Sequence, residues 1–311
     1  MLEGHMLFLF LVVVLQFITG VLANGLIVVV SAIDLITRSK MAPLDLLLSC
    51  LATSRIILQL YILFAQLWLF CLVNPSLFTD SINFVFFVNE LNLWFATWLG
   101  VFYCVKIATI PHPLFLWLKM RISRLVPWLI LGSVLCTAIT AFIHSRAIST
   151  IPKELFINLF AKNATQVRWV YAMPLSIFIL GLSLPLLIFL TAVLLLIFSL
   201  WNHSRQMRAT VGTRVSSRHA LISSMLSVMS FLILYFSHYM VAILVSIQGV
   251  EFGSTAFLIC TLVVGMYPSL HSIVLILGNP KLKQNAKMFT VHCKCHCERT
   301  WITSRSLGLS D

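Results

Sequence analysis

Seven long apolar runs divide the chain, separated by short stretches where polar and basic residues gather. They fall at about 7–30, 43–70, 83–107, 125–145, 173–200, 221–247 and 255–277. Each reaches the roughly 20 residues that a helix needs to cross about 30 Å of hydrocarbon. The runs are continuous and far longer than strands, so they predict helices. Pro43 opens the second run, the fourth follows Pro127, and Pro174 and Pro185 cap or kink the fifth. The pattern predicts an all-α membrane protein, with a seven-transmembrane helix bundle over 1–280. A basic tail, 281–311, follows, and 280–289 is expected to lie as a short amphipathic helix on the inner leaflet. No internal repeat is visible, which argues against a secondary transporter built from repeated halves.

The charges of the loops set the expected orientation. Arg38 and Lys40 follow the first run, and Lys106, Lys119, Arg121 and Arg124 follow the third. Arg205, Arg208, Arg214 and Arg218 follow the fifth, and Lys281, Lys283 and Lys287 follow the seventh. The other side holds Arg146, Lys153, Lys162 and Arg168 in one loop with Glu154. Lysine and arginine stay cytoplasmic, so the N-terminus is expected outside and the C-terminus inside. Asn163-Ala164-Thr165 then lies in an outer loop as a glycosylation acceptor. Asn202-His203-Ser204 would be cytoplasmic and unused, and Pro75 disqualifies Asn74. The first run sits behind an acidic MLEGHM start and continues to Val30, which reads as a span rather than a signal peptide.

Composition excludes the soluble alternatives. The chain is 60% hydrophobic and only 10% charged, where soluble domains carry about a quarter charged residues. The net charge of +12 belongs to the inner loops and to anionic lipid headgroups rather than to nucleic acid. The cysteines suggest no extracellular disulfide framework. There is no phosphate loop, no H-E-x-x-H and no G-x-S-x-G. No enzyme, metal or cofactor is expected.

Polar residues inside the runs carry the chemistry. Arg55 stands near mid-membrane, at a cost of roughly 2.5–3.5 kcal/mol on insertion scales. It must face the bundle, with Asn24, Ser269 or Ser272 as candidate partners. The favoured reading is a polar staple of Asn24, Arg55 and Ser272 rather than a ligand contact. Asn89, Glu90 and Asn92 lie toward the outer end of the third run; Asn89 and Asn92 share a helix face with Val85. They read either as interhelical hydrogen-bonding groups or as the polar points of a small-molecule pocket. His238 and His271 read first as packing residues. Cys293, Cys295 and Cys297 are spaced too tightly for a usual zinc site. They read as palmitoylation candidates or as free cytosolic thiols.

Seven spans with basic inner loops resemble a G-protein-coupled receptor. The rhodopsin-like Asp-Arg-Tyr, Cys-Trp-x-Pro and Asn-Pro-x-x-Tyr are absent. Other motifs stand instead: Asn24-Gly25; Leu48-x-x-Leu51-Ala52-x-Ser54-Arg55; Phe102-Tyr103-x-x-Lys106-Ile107-Ala108, then His112-Pro113. Further on come Leu196-x-x-Ser199-Leu200, Trp201-x-His203-x-x-Gln206-Met207, Phe231-Leu232-x-Leu234-Tyr235, and His271-Ser272 with Gly278-Asn279-Pro280-Lys281. Together these resemble the bitter taste receptors, taste receptor type 2, over nearly the whole chain. MAPLDLLLSCLA and HPLFLWLKMRIS are similar to one member in particular.

The resemblance implies a plasma-membrane receptor for bitter small molecules. It implies coupling to gustducin or an inhibitory-type heterotrimeric G protein, with phospholipase C and calcium downstream. It also implies an agonist pocket that includes Val85, Asn89, Glu90, His238 and Thr261, and a coupling surface of Tyr103, Lys106 and His203. The rival reading is a transporter or channel with a polar track of Arg55, Glu90 and His271.

Overall fold

A computed structural model describes the backbone over residues 2–71, 75–149, 167–208, 215–246, 255–289 and 291. All regular structure among the described residues is helical. The helices are α1 (Leu2–Arg38), α2 (Pro43–Cys71), α3 (Pro75–Ile107), α4 (Pro113–Ser149), α5 (Val167–Arg208), α6 (Val215–Ser246) and α7 (Thr255–Gly278). A short α8 (Pro280–Phe289) follows, turned 101° from the end of α7. Asn163, Cys293, Cys295 and Cys297 lie outside the described residues, as do the side chains of His203 and Thr261.

The helix ends follow from local chemistry. α2, α3, α4 and α8 all begin at a proline, whose fixed φ suits the first helical position and whose missing N–H costs nothing there. His112 caps α4: its Nδ1 accepts the Leu114 amide at 3.3 Å. Asn279 caps α8: its Oδ1 accepts the amides of Lys281 at 3.0 Å and Leu282 at 3.4 Å. Ser39, just past α1, takes a left-handed φ of 53°, the usual conformation for ending a helix.

Several helices outrun their apolar windows. α3 starts at Pro75 rather than near 83, α4 at Pro113 rather than near 125, and α5 spans Val167–Arg208 rather than 173–200. Pro127 lies inside α4, and α5 continues through Pro174 and Pro185. Hydropathy marks only the length that hydrocarbon can cover. Backbone hydrogen bonding carries a helix on into the headgroup layer until a cap or proline ends it. Among the described residues five helices pass as spans by length and composition, and α7 with α8 makes a sixth if the bent pair is one span.

α3 is the central shaft. Of its apolar stretch 61% is buried in the protein, against 17% for α4 and 28% for α1. It packs on α2, α4 and α5, while α7 closes the bundle against α1 and α6. The perimeter is apolar: Leu15, Leu22, Leu135, Phe142, Leu187 and Leu194 are all more than half exposed, as a lipid-facing surface requires. Hydroxyls on that perimeter are satisfied by their own helix. Thr19 donates to the Leu15 carbonyl at 2.7 Å, Thr191 to Leu187 at 2.9 Å and Ser237 to Ile233 at 2.8 Å. In lipid no water is available to take that role.

Candidate functional site

Arg55 is fully buried and forms a hub between α2, α3 and α7. Its Nε donates to Asn92 Oδ1 at 3.3 Å and its Nη1 to Ser272 Oγ at 3.0 Å. Its Nη2 reaches His271 Nδ1 at 2.5 Å and lies 3.5 Å from the Tyr267 hydroxyl. Arginine can only donate, so His271 Nδ1 accepts and the imidazole proton sits on Nε2. The guanidinium also lies 5.3 Å from the Tyr267 ring centroid. Ser272 Oγ stands 2.7 Å from Asn24 Oδ1, and Asn24 Nδ2 donates to the Gly20 carbonyl at 2.8 Å. Asn24, Arg55 and Ser272 thus meet, and the contact ties α1 into the hub. Ser269 goes elsewhere: it accepts from Gln59 at 2.7 Å and donates to the Gln16 carbonyl at 3.1 Å.

The hub forms a floor. Asn89 lies one helical turn from Asn92, on the same face of α3 and nearer the end of the bundle that holds Asn83. It is buried, and its Oδ1 has no hydrogen-bonding partner among the described residues. His238 comes in from α6 with its ring 5.5 Å from Tyr267. It is 3% exposed, and neither ring nitrogen has a partner there. Two helices therefore carry unpaired buried polar atoms beside the Arg55–Tyr267 floor. Close by on α6, the Tyr239 hydroxyl bonds Ser183 of α5 at 2.9 Å.

Glu90 faces another way. Thr140 of α4 donates to its Oε2 at 2.8 Å, and a Cβ placed on Gly181 of α5 would stand 3.0 Å from that oxygen. Glu90 thus sits at the α3–α4–α5 junction, where glycine lets α5 approach. Val85 is half-buried on α3.

At the opposite end, Tyr103 is half-buried and Lys106 exposed, with the Lys106 ammonium 5.7 Å from the Phe102 ring centroid. Beneath them lies a small cavity of about 10 Å³, room for one water, bordered by Gly100, Tyr103, Phe189, Phe231, His271 and Leu275. The Phe231 ring is 4.5 Å from His271 and 4.4 Å from Phe189, centroid to centroid. Side chains thus run continuously from the Arg55 hub to α5 and α6. Lys281 of α8 pairs with both Asp34 of α1 and Asp45 of α2. Ser199 of α5 holds the turn after α3 by accepting the Thr109 amide at 2.8 Å.

The chain matches the taste receptor protein family, TAS2R, over residues 1–294. It belongs to that family, the bitter taste receptors of type 2. Taste receptor type 2 member 119 of Mus musculus is 72% identical over all of this chain and 93% of the relative. Member 1 of Pan paniscus is 53% identical over 95% of this chain and 99% of the relative. Member 40 of Gallus gallus is 33% identical over 89% and 92%. As a TAS2R receptor the chain has the seven-transmembrane fold of a G-protein-coupled receptor. It is a membrane protein of a family that binds ligands and couples to G proteins, not of an enzyme family.

Some of this TAS2R architecture escaped the sequence. Asn92, His271 and Tyr267 as Arg55 partners, the Glu90–Thr140 pair and the Gln16–Gln59–Ser269 cluster were not anticipated. Each joins different helices, some consecutive, as Arg55–Asn92 and Glu90–Thr140 are, and some at opposite ends of the chain, as Arg55–His271 is. The available signal was that a buried arginine needs several acceptors; Asn92 stood at a suitable depth. Lys281 with Asp34 and Asp45 was also legible in principle, as opposite charges at one end of three helices.

Proposed function

We propose that this receptor binds bitter small molecules in the outward-facing half of the bundle and activates a gustducin-type or other inhibitory-type G protein at the inner face. Phospholipase C and calcium release follow. The N-terminus is outside, the C-terminus is cytoplasmic, and the working site is the plasma membrane. One observation carries the reading: Asn89 Oδ1 and both nitrogens of His238 are buried beside the Arg55–Tyr267 floor without partners among the described residues. An unsatisfied buried polar atom costs about 1–3 kcal/mol, and a ligand with a matching donor or acceptor recovers it. Val85 and Thr261 complete the proposed wall, and Glu90, turned to Thr140 and Gly181, stands outside it.

Activation requires that the agonist bind the active arrangement better than the resting one. The His271–Phe231–Phe189 contacts link the floor to α5 and α6. A shift of α6 and α7 there opens the inner face, where Tyr103, Lys106 and His203 receive the G protein. Asn163 carries the outer-loop glycan, and Cys293, Cys295 and Cys297 are the tail positions for lipidation.

The test is calcium imaging of cells that carry the receptor and a chimeric taste G protein. A broad bitter panel should evoke responses, and Asn89→Ala and His238→Ala should shift agonist potency about tenfold at equal surface expression. Silence to the whole panel together with solute uptake would replace the receptor reading by a transporter or channel. Unchanged potency in both variants would remove these residues from the site.

A further inference from the structure

We infer that the inner end of α4 carries a site for an anionic phospholipid on its outward face. The assignment to the inner leaflet rests on the orientation proposed above. α4 is the least buried of the long apolar helices, 17% against 61% for α3, so among the described residues its outer side lies open. Trp117, Arg121, Arg124 and Trp128 follow one another at spacings of four, three and four residues, so they form a single stripe. All four are exposed, Trp117 at 48% and Trp128 at 70%. The stripe continues into lipid at Leu131 and Leu135 and away from it at Leu114, each at least half exposed.

Neither arginine has an ion-pair partner among the described residues. The only carboxylates found there in salt bridges, Asp34 and Asp45, are held by Lys281. The Arg121 guanidinium instead lies 5.7 Å from the Trp117 ring centroid. A face turned to water gains nothing from two exposed indoles and three exposed leucines. A face turned wholly to hydrocarbon could not hold two unpaired guanidinium groups. The stripe suits an amphiphile, with its phosphate on the arginines and its chains along the leucines.

The heights agree. The headgroup layer is about 5–7 Å deep on each side, and tryptophan favours its edges. Arg124 lies about 6 Å and Arg121 about 10.5 Å along the axis from Trp128. With Trp128 about 4 Å inside the hydrocarbon boundary, Arg124 and Arg121 stand about 2 Å and about 6.5 Å above it, both within the headgroup layer. Each offers a planar fork that matches a phosphate's oxygens.

The experiment uses the full-length receptor in nanodiscs of phosphatidylcholine doped with phosphatidylserine or a phosphoinositide, with retained lipids counted by native mass spectrometry. The expected result is selective retention of the anionic lipid. Loss of one arginine as Arg121→Gln or Arg124→Gln should weaken it about fivefold, and loss of both about 30-fold. Trp117→Ala with Trp128→Ala should weaken it with all charges kept. Lys283→Gln with Lys287→Gln on α8 should leave it in place. Unchanged retention in the arginine or the tryptophan pair, or loss confined to the α8 pair, overturns the site. Displacement by inorganic phosphate alone would make it a free-anion site and overturn the lipid assignment. Thermal melting of each variant separates loss of lipid from loss of fold. A Met120→Cys receptor labelled from outside intact cells would overturn the orientation and with it the inner-leaflet assignment, while the nanodisc result, which does not depend on sidedness, would still judge the site.

Discussion

Arg55→Met tests whether the buried hub stabilises the bundle. Methionine refills most of the arginine's volume, so the cavity left behind is small, but it removes every donor. Three contacts fall within ordinary hydrogen-bonding distance, to Asn92, Ser272 and His271, and the Tyr267 hydroxyl at 3.5 Å is marginal. Interhelical hydrogen bonds in such bundles average about 0.6 kcal/mol, so the three sum to about 2 kcal/mol. The cation over Tyr267, fully desolvated, adds about 1–2 kcal/mol. The expected loss is therefore about 3–4 kcal/mol. Equilibrium unfolding of purified receptor from mixed micelles into a denaturing detergent measures it. Combining Arg55→Met with Ser272→Ala should show a coupling of about 0.6 kcal/mol and at most about 1.7. Arg55→Lys should recover only part of the loss, because a single ammonium cannot face α3 and α7 as the fork does. A loss below about 1 kcal/mol, or no coupling with Ser272, would mean that the hub is not the staple described.

Three further outcomes are expected. Gly100→Ala places a methyl group against the Phe189 ring; it should cost about 1–3 kcal/mol of stability by overpacking, and an unchanged unfolding midpoint would show that α3 and α5 are not so close. Glu90→Gln keeps an acceptor for Thr140 and should lie within about 0.5 kcal/mol of the parent, whereas Thr140→Val should lose about 0.6 kcal/mol; a larger loss in Glu90→Gln would point to a role for its charge. Lys281→Met leaves Asp34 and Asp45 facing each other without a cation. Because these groups are partly exposed, the effect on the melting curve should stay at or below about 1 kcal/mol and shrink in high salt; a salt-independent loss would refute the electrostatic account.

The fold was readable because lipid leaves few options. Apolar runs of span length must be helices, and the hydroxyl side chains that break them bond their own carbonyls, as Thr19, Thr191 and Ser237 do. The helix ends were less readable, because what fixes them is not hydropathy. Pro113 and the His112 cap start α4 well before its apolar stretch, and that extension brings Arg121 and Arg124 onto one helical stripe with two tryptophans. Hydropathy alone assigns those arginines to a loop. The polar interior was half readable, for a related reason. Insertion cost identifies Arg55, Asn89 and Glu90 as residues that need an account, but it is a property of one helix. Which helix answers depends on rotation about the axis. Asn92 and Glu90, two residues apart on α3, turn to opposite sides, one to Arg55 and the other to Thr140. The same rotation gives Asn89 and Glu90 different expected roles. Glu90 has its acceptor occupied between α4 and α5, while the Asn89 oxygen beside the floor has no partner among the described residues. If ligand contact follows unmet hydrogen-bonding capacity rather than charge, Asn89 and His238 should govern agonist potency and Glu90 should govern packing. Substituting each against the same agonist, with stability measured alongside, separates the two principles within one receptor.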